Sequence, residues 1–244
     1  MRKNGRTARK LKKLAWRFRQ PAWADNHGVL LPVRHPLVSP GIAREIYFGD
    51  YEAKEIEIIG KRLADDDVVF EVGAGLGFLS AYCAKRVSSA KVFTYEANPE
   101  LIPLIRETHA RNGVAPTLTN ALLARGAGER EFRIDDDFWA SSAHRAGGRS
   151  ITVRQLDLNA ELARVRPSFL IVDIEGGEAE FFAGAELSMV HKICVETHPD
   201  VLGDKVHSAM FAGCVAKGFA VNFSLIHKNI FFFHRPKCQA VTPC

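Results

Sequence analysis

Three glycines, Gly73, Gly75 and Gly77, follow the apolar run from Val68 to Val72 at alternate positions, with Glu71 just before them. Glycine lets the chain turn tightly and lets a ligand approach the backbone, and a helix starting there offers unpaired N–H groups. A second apolar run ends in Glu96 and Asn98, about 20 residues further on, where a carboxylate can accept hydrogen bonds from ribose hydroxyls. Asp173, Glu175 and Glu178 follow a third run, and Glu196 and His198 end a fourth. Such a set could hold a nucleoside on one side and take a proton from an acceptor on the other. Glu175, His198 and Asp173 are the candidates for the proton, His198 being the best matched near neutral pH. Plain alternatives stand beside these readings. A glycine turn can serve packing, Glu178 can support a helix dipole, Asp173 can hold a loop, and His198 before Pro199 can simply start a helix.

The glycine spacing narrows the ligand. A dinucleotide fingerprint needs glycine at position 78, and this chain has Phe78. Glu71 would repel a pyrophosphate, whereas it suits the cationic amino acid part of S-adenosylmethionine. A metal bridged by Asp173, Glu175 and His198 has no support from local ligand spacing, and none is expected.

These residues need a sheet to position them. From residue 68 onward, short β-branched or aromatic runs alternate with helix-length segments, the pattern of a mostly parallel sheet covered on both faces. Strands are expected at Val68 to Val72, Lys91 to Glu96, Thr117 to Ala121, Phe169 to Asp173, Lys192 to Thr197, Phe219 to Leu225 and Asn229 to His234. Helices fit at about Gly77 to Val87, Pro99 to Asn112, Leu158 to Val165, Gly177 to Ala183 and Val201 to Lys217, with one more over residues 51–63. Only Ile226, His227 and Lys228 separate the last two strands, too few for a crossover, so they must pair as an antiparallel hairpin. The segment from Glu129 to Leu156 reads as an insertion with two extra strands around a polar, flexible middle. Phe138 and Trp139 would pack that insertion onto the sheet. Residues 20–50, rich in proline, read as a loop-rich lead-in with a small strand at Val29 to Val33.

An ordered series of motifs runs through residues 51–234: Y-E-A-K-E at 51–55, E-V-G-A-G-L-G-F-L-S at 71–80, Y-E-A-N-P-E at 95–100, N-A-L at 120–122, and the serines of F-W-A-S-S. Q-L-D-L at 155–158, V-D-I-E-G-G-E at 172–178, G-A at 184–185, V-E-T-H at 195–198 and a closing N-I-F-F complete it. In this series the chain resembles the FkbM-type methyltransferases. The resemblance implies a Rossmann-like class I methyltransferase fold: a mostly parallel seven-stranded sheet, helices on both faces, and a C-terminal antiparallel hairpin. It implies S-adenosyl-L-methionine as cofactor and O-methylation of a hydroxyl on a sugar or small natural product. By position, Glu71, Gly73, Gly75 and Gly77 would hold the methionine part, Glu96 the ribose, and Asn120 and Ala121 would lie near the adenine. Asn98 and Asp173 join the cofactor set. Two departures matter: Val172 stands where the family usually has lysine, and Gly177 replaces the usual alanine.

Composition bounds the rest. The 244 residues, 47% hydrophobic and 25% charged, suit one globular domain, expected over 51–236, with a short tail at 237–244. No apolar run approaches the roughly 20 residues that span a bilayer. The five cysteines are scattered without metal-ligand spacing, which suggests reduced thiols in a cytoplasmic protein. The net charge of +5 hides an asymmetry, because residues 1–19 hold nine Lys/Arg and no acid, leaving 24 basic against 28 acidic residues elsewhere. That segment reads as a basic, mobile tail that could meet nucleic acid or an anionic membrane. Two rival functions therefore stand beside the first: a nucleic-acid methyltransferase or binding protein acting through the tail, and an NAD-dependent oxidoreductase. The oligomeric state is not legible.

Overall fold

A computed structural model describes residues 12, 15, 16, 18, 20–134 and 149–236. Phe138, Trp139 and the F-W-A-S-S serines lie outside the described residues, as do 237–244 and most of 1–19.

The centre is a seven-stranded sheet. Its strands are β3 (Val69–Val72), β4 (Val92–Glu96), β5 (Thr117–Asn120), β9 (Phe169–Asp173), β10 (Lys192–Glu196), β11 (Ala220–Val221) and β12 (Ile230–His234). They lie in the order β11-β12-β10-β9-β3-β4-β5. Neighbours pair in parallel except at β12, which runs antiparallel to both β10 and β11. The expected hairpin is therefore present, with β12 slotted between its partner and the rest of the sheet. This is the expected Rossmann-like architecture, a mostly parallel seven-stranded sheet closed by an antiparallel hairpin.

Strand alternation builds the core on both faces. Val69, Phe169, Ile171 and Cys194 pack on one face with α2 (Ala53–Arg62), α3 (Phe78–Val87) and α4 (Ile102–Arg111). Phe70, Val72, Leu170, Val172, Ile193 and Val195 pack on the other with α5 (Leu158–Val165), α6 (Glu178–Gly184) and α8 (Asp204–Ala216). Strands buried on both faces read as continuous apolar runs, which is why β9 and β10 stood out.

Several elements differ from expectation. The lead-in is more ordered than its prolines suggest: β1 (Trp23–Asn26) and β2 (Val29–Pro32) form a hairpin, and α1 (Pro40–Phe48) follows. Ser39 caps α1 by accepting from the Ile42 N–H, and Pro40 takes the first turn, where its missing N–H costs nothing. The expected strand from 219 shrinks to Ala220–Val221, because the Asn222 side chain accepts from the Ser224 N–H and starts a 3₁₀ turn. The expected helix from 201 breaks at Gly203, at φ 74 and ψ 154, giving α7 (Pro199–Leu202) and α8. The insertion forms its own sheet. There β8 (Arg149–Asp157) pairs antiparallel with β7 (Gly128–Ile134) and parallel with the unforeseen β6 (Leu122–Ala124). Trp16, within the basic segment expected to be mobile, packs its ring 5.0 Å from that of Tyr47 and 6.3 Å from Phe48.

Candidate active site

One cleft, about 150 Å³, opens at the carboxyl ends of β3, β4 and β9 and is covered by the small β6-β8-β7 sheet. On its β4 side lie Gly75, Glu96, Ala97 and Ala121, and on its β9 side Asp173, Ile174, Glu175 and Gly177. Arg130 and Phe132 of β7 line it from the covering sheet, and Tyr51 and Glu52 from the start of α2.

Glu96 organises the first side. Its Oε2 accepts from the Gly75 N–H at 3.1 Å and its Oε1 from the Asn98 N–H at 2.8 Å, so the carboxylate ties the glycine turn to the end of β4. Burial raises its pKa and those backbone N–H groups oppose the rise. Two bonds leave further lone pairs on a carboxylate, free to accept hydroxyls. Asn120 supports the arrangement from behind: its Nδ2 donates to the Glu96 carbonyl at 2.7 Å and the Ala97 carbonyl at 3.2 Å. Asn98 caps the next turn, its Oδ1 accepting from the Glu100 N–H. Neither asparagine lines the cleft, whereas Ala121 does.

The glycines divide the labour. A Cβ on Gly73 would sit 1.7 Å from the Asp173 carbonyl oxygen, so this glycine lets β3 and β9 end side by side. A Cβ on Gly77 would meet Ile105 at 2.9 Å and His109 at 3.0 Å, which makes its smallness a packing need of α3 against α4. Gly73 and Gly75 both line the cleft, and Gly75, at φ 52, turns its N–H to Glu96. Glu71 shares strand parity with Val69 and is buried beneath α3, its carboxylate bonded to Thr94, away from the cleft lining. Burial pushes its pKa to about 7 against the pull of Thr94 and Ser80. The structure thus separates Glu71 from the ligand-facing residues with which it was grouped.

The β9 side is a chain of carboxylates around one imidazole. His198 Nδ1 is hydrogen-bonded to Glu178, which is fully buried, and Nε2 lies 3.4 Å from Glu175 Oε1. Burial works against a charge on His198, but the bonds to Glu175 and Glu178 and the Asp173 charge overcome it and raise its pKa to about 11. An imidazolium has no lone pair to accept a proton. The shift favours an imidazolium at neutral pH, and in that form His198 bridges Glu175 and Glu178. Burial and Glu196, against the pull of His198, raise the Asp173 pKa well above the carboxylate range. Glu55 is pushed to about 7, by burial first and then by Glu196. Glu52 and Glu55 fall in the Y-E-A-K-E motif, but their place at the site was not legible, because Asp173 and Glu196, which face them, lie more than a hundred positions away.

The sequence pattern of the Methyltransferase FkbM domain matches residues 71–210. The chain belongs to this family. FkbM methyltransferases use S-adenosyl-L-methionine. The cleft lining sets the Glu96 carboxyl, the apolar side chains of Leu101, Ala121 and Leu122, and the carboxyls of Glu52 and Asp173 around one space. No curated protein matches the chain. Among solved structures it is similar to a methyltransferase from Pyrococcus furiosus, at 14% identity and TM-score 0.47, covering 95% of this chain and 98% of that one. It is similar to a ribosomal protein L11 methylase from Lactobacillus delbrueckii subsp. bulgaricus, at 11% identity and TM-score 0.47, covering 77% and 80%. It is also similar to a candidate tRNA methyltransferase from Streptococcus pneumoniae in complex with S-adenosyl-L-methionine, at 12% identity and TM-score 0.44, covering 77% and 75%.

Proposed function

We propose that this methyltransferase acts on a hydroxyl of a sugar or small natural product. The observation that carries the reading is that Asp173 and Glu175 share one covered cleft with Gly75 and Glu96. The cofactor, when bound, supplies an electrophilic methyl group. Gly75, Glu96 and Ala121 hold and orient its nucleoside, with Glu71, Gly73, Gly77, Asn98 and Asn120 shaping the backbone around them. Asp173 and Glu175 lie where an acceptor's proton can be taken, and His198 keeps Glu175 in place. Positioning supplies much of the rate in such a displacement, and proton removal the rest. The roof of β6, β7 and β8 suits a small acceptor better than a duplex.

A cytoplasmic setting fits the unpaired, buried thiols of Cys83, Cys194 and Cys214. No helix among the described residues is long and apolar enough to cross a membrane. The test is transfer of labelled methyl from S-adenosylmethionine to a panel of glycosides, phenols, amines and RNA. Label in an ether of a small hydroxylated acceptor is expected. Label confined to RNA or to amines would overturn the hydroxyl reading and favour the basic segment, where Phe18 is exposed, as a docking element.

A further inference from the structure

Carboxyl groups crowd one end of the cleft. Glu52 and Asp173 both line it. Asp173 is faced by Glu196 and His198 from β10 and beyond, by Glu55 from α2, and by Glu175 from the turn after its own strand. The cation in that set, His198, is already engaged by Glu175 and Glu178. Glu52 is faced by Tyr51, which hydrogen-bonds to it, and by Glu55, Asp173 and Glu71. Its backbone is left-handed, at φ 45, just ahead of α2. A glutamate rarely adopts that conformation, and residues held in it cluster where a side chain must be aimed. Like charges crowded in a half-buried cleft resist ionising together. Burial first, and then repulsion, accordingly keep Glu52 and Asp173 protonated well above the usual carboxylate range.

We propose that Glu52 and Asp173 exchange a proton against the positive charge of the cofactor, releasing one when the sulfonium occupies the cleft and taking one from the acceptor as that charge is consumed. A cation beside a half-buried carboxyl favours its ionised form, so the base is uncovered only when the methyl donor is present. In the transfer, the acceptor's O–H bond breaks and its proton goes to the carboxylate. The oxygen–methyl bond forms, and the sulfur keeps the electron pair of the broken sulfur–methyl bond. Charge balances: a cation and a carboxylate become a neutral thioether and a neutral carboxyl. S-adenosylhomocysteine, the product, shares the nucleoside and amino acid parts but lacks the sulfonium charge. The release step rests on the family's cofactor, and the uptake step on the hydroxyl reading proposed above.

The experiment is calorimetry on the full chain with S-adenosylmethionine and with S-adenosylhomocysteine, in two buffers of different ionisation heat, between about pH 6 and pH 8. About one proton should leave when S-adenosylmethionine binds and almost none with S-adenosylhomocysteine. The Kd for S-adenosylmethionine should fall about tenfold per pH unit while that for S-adenosylhomocysteine stays nearly flat. Glu52→Gln and Asp173→Asn, both near-isosteric, should each reduce the release and flatten that slope, with melting temperature close to the parent's. Equal proton exchange for both ligands in the parent protein, or an undiminished release in both variants, would overturn the proposal and leave the cofactor assignment standing. Binding of neither ligand would overturn the assignment and the proposal together.

Discussion

Replacing His198 with alanine separates a base from a strut. The imidazolium lies between Glu175 and Glu178, the latter fully buried, and its removal leaves two carboxylates in a poorly hydrated pocket without their cation. Breaking a buried ion pair from one side costs about 3–5 kcal/mol. For a domain of this size each kcal/mol lowers the melting temperature by about 2–4 °C, so a drop of roughly 10 °C is expected. The sign of the pH dependence follows from the raised pKa. Folded His198 holds its proton up to about 11 against 6.5 for the free group, so its stabilisation is complete below 6.5 and lost as pH rises through 11. The variant should lack that part of the slope. The assay is thermal melting across this range, alongside turnover with S-adenosylmethionine. A variant that melts like the parent, loses turnover a hundredfold and recovers it at high pH would refute the strut and restore His198 as the base.

Three further outcomes are expected. Glu96→Ala should weaken S-adenosylhomocysteine roughly 10- to 100-fold by calorimetry, since a charged hydrogen-bond acceptor contributes about 1.5–3 kcal/mol; unchanged affinity would remove Glu96 from the site. Glu55, held near 7 by burial and Glu196, loses its favourable proton as pH rises from 4.5 through 7, so the parent should lose stability across that window. Glu55→Gln should flatten the loss in a urea melt series, and an identical slope in both proteins would show that Glu55 is not the group responsible. Trp16→Ala should lower the melting temperature by a few degrees, because the indole packs on Tyr47 and Phe48 and aromatic burial is worth on the order of 1–2 kcal/mol; no change would leave the basic segment a free tail.

The parts of the fold legible in the sequence are those whose causes are local. The apolar runs of β3, β9 and β10 and the short link before β12 speak for themselves, and the glycine turn paired with Glu96 marks the cofactor side. What stayed hidden depends on long-range contact. The three residues of β6 are too few to show a period, and they matter only because β8, some thirty residues later in the chain, pairs with them. Helix α1 was masked by Pro36, Pro40 and Gly41, although Ser39 before Pro40 is a capping signal in plain view. Glu71 was grouped with the ligand because it precedes the glycines. Strand parity with Val69 places it on the α3 face instead. The raised pKa of His198 comes from Glu175 and Glu178, residues of another part of the chain that only the fold brings to it.

On this reading the cleft between Glu96 and Asp173 binds S-adenosylmethionine as a methyl donor. Its most direct test is calorimetric titration of the full chain with S-adenosylhomocysteine and, side by side, with NADH. Saturable one-to-one binding of S-adenosylhomocysteine, weakened by Glu96→Ala, with no heat from NADH, is the predicted result. Binding of NADH in preference, or S-adenosylhomocysteine affinity indifferent to Glu96, would contradict it.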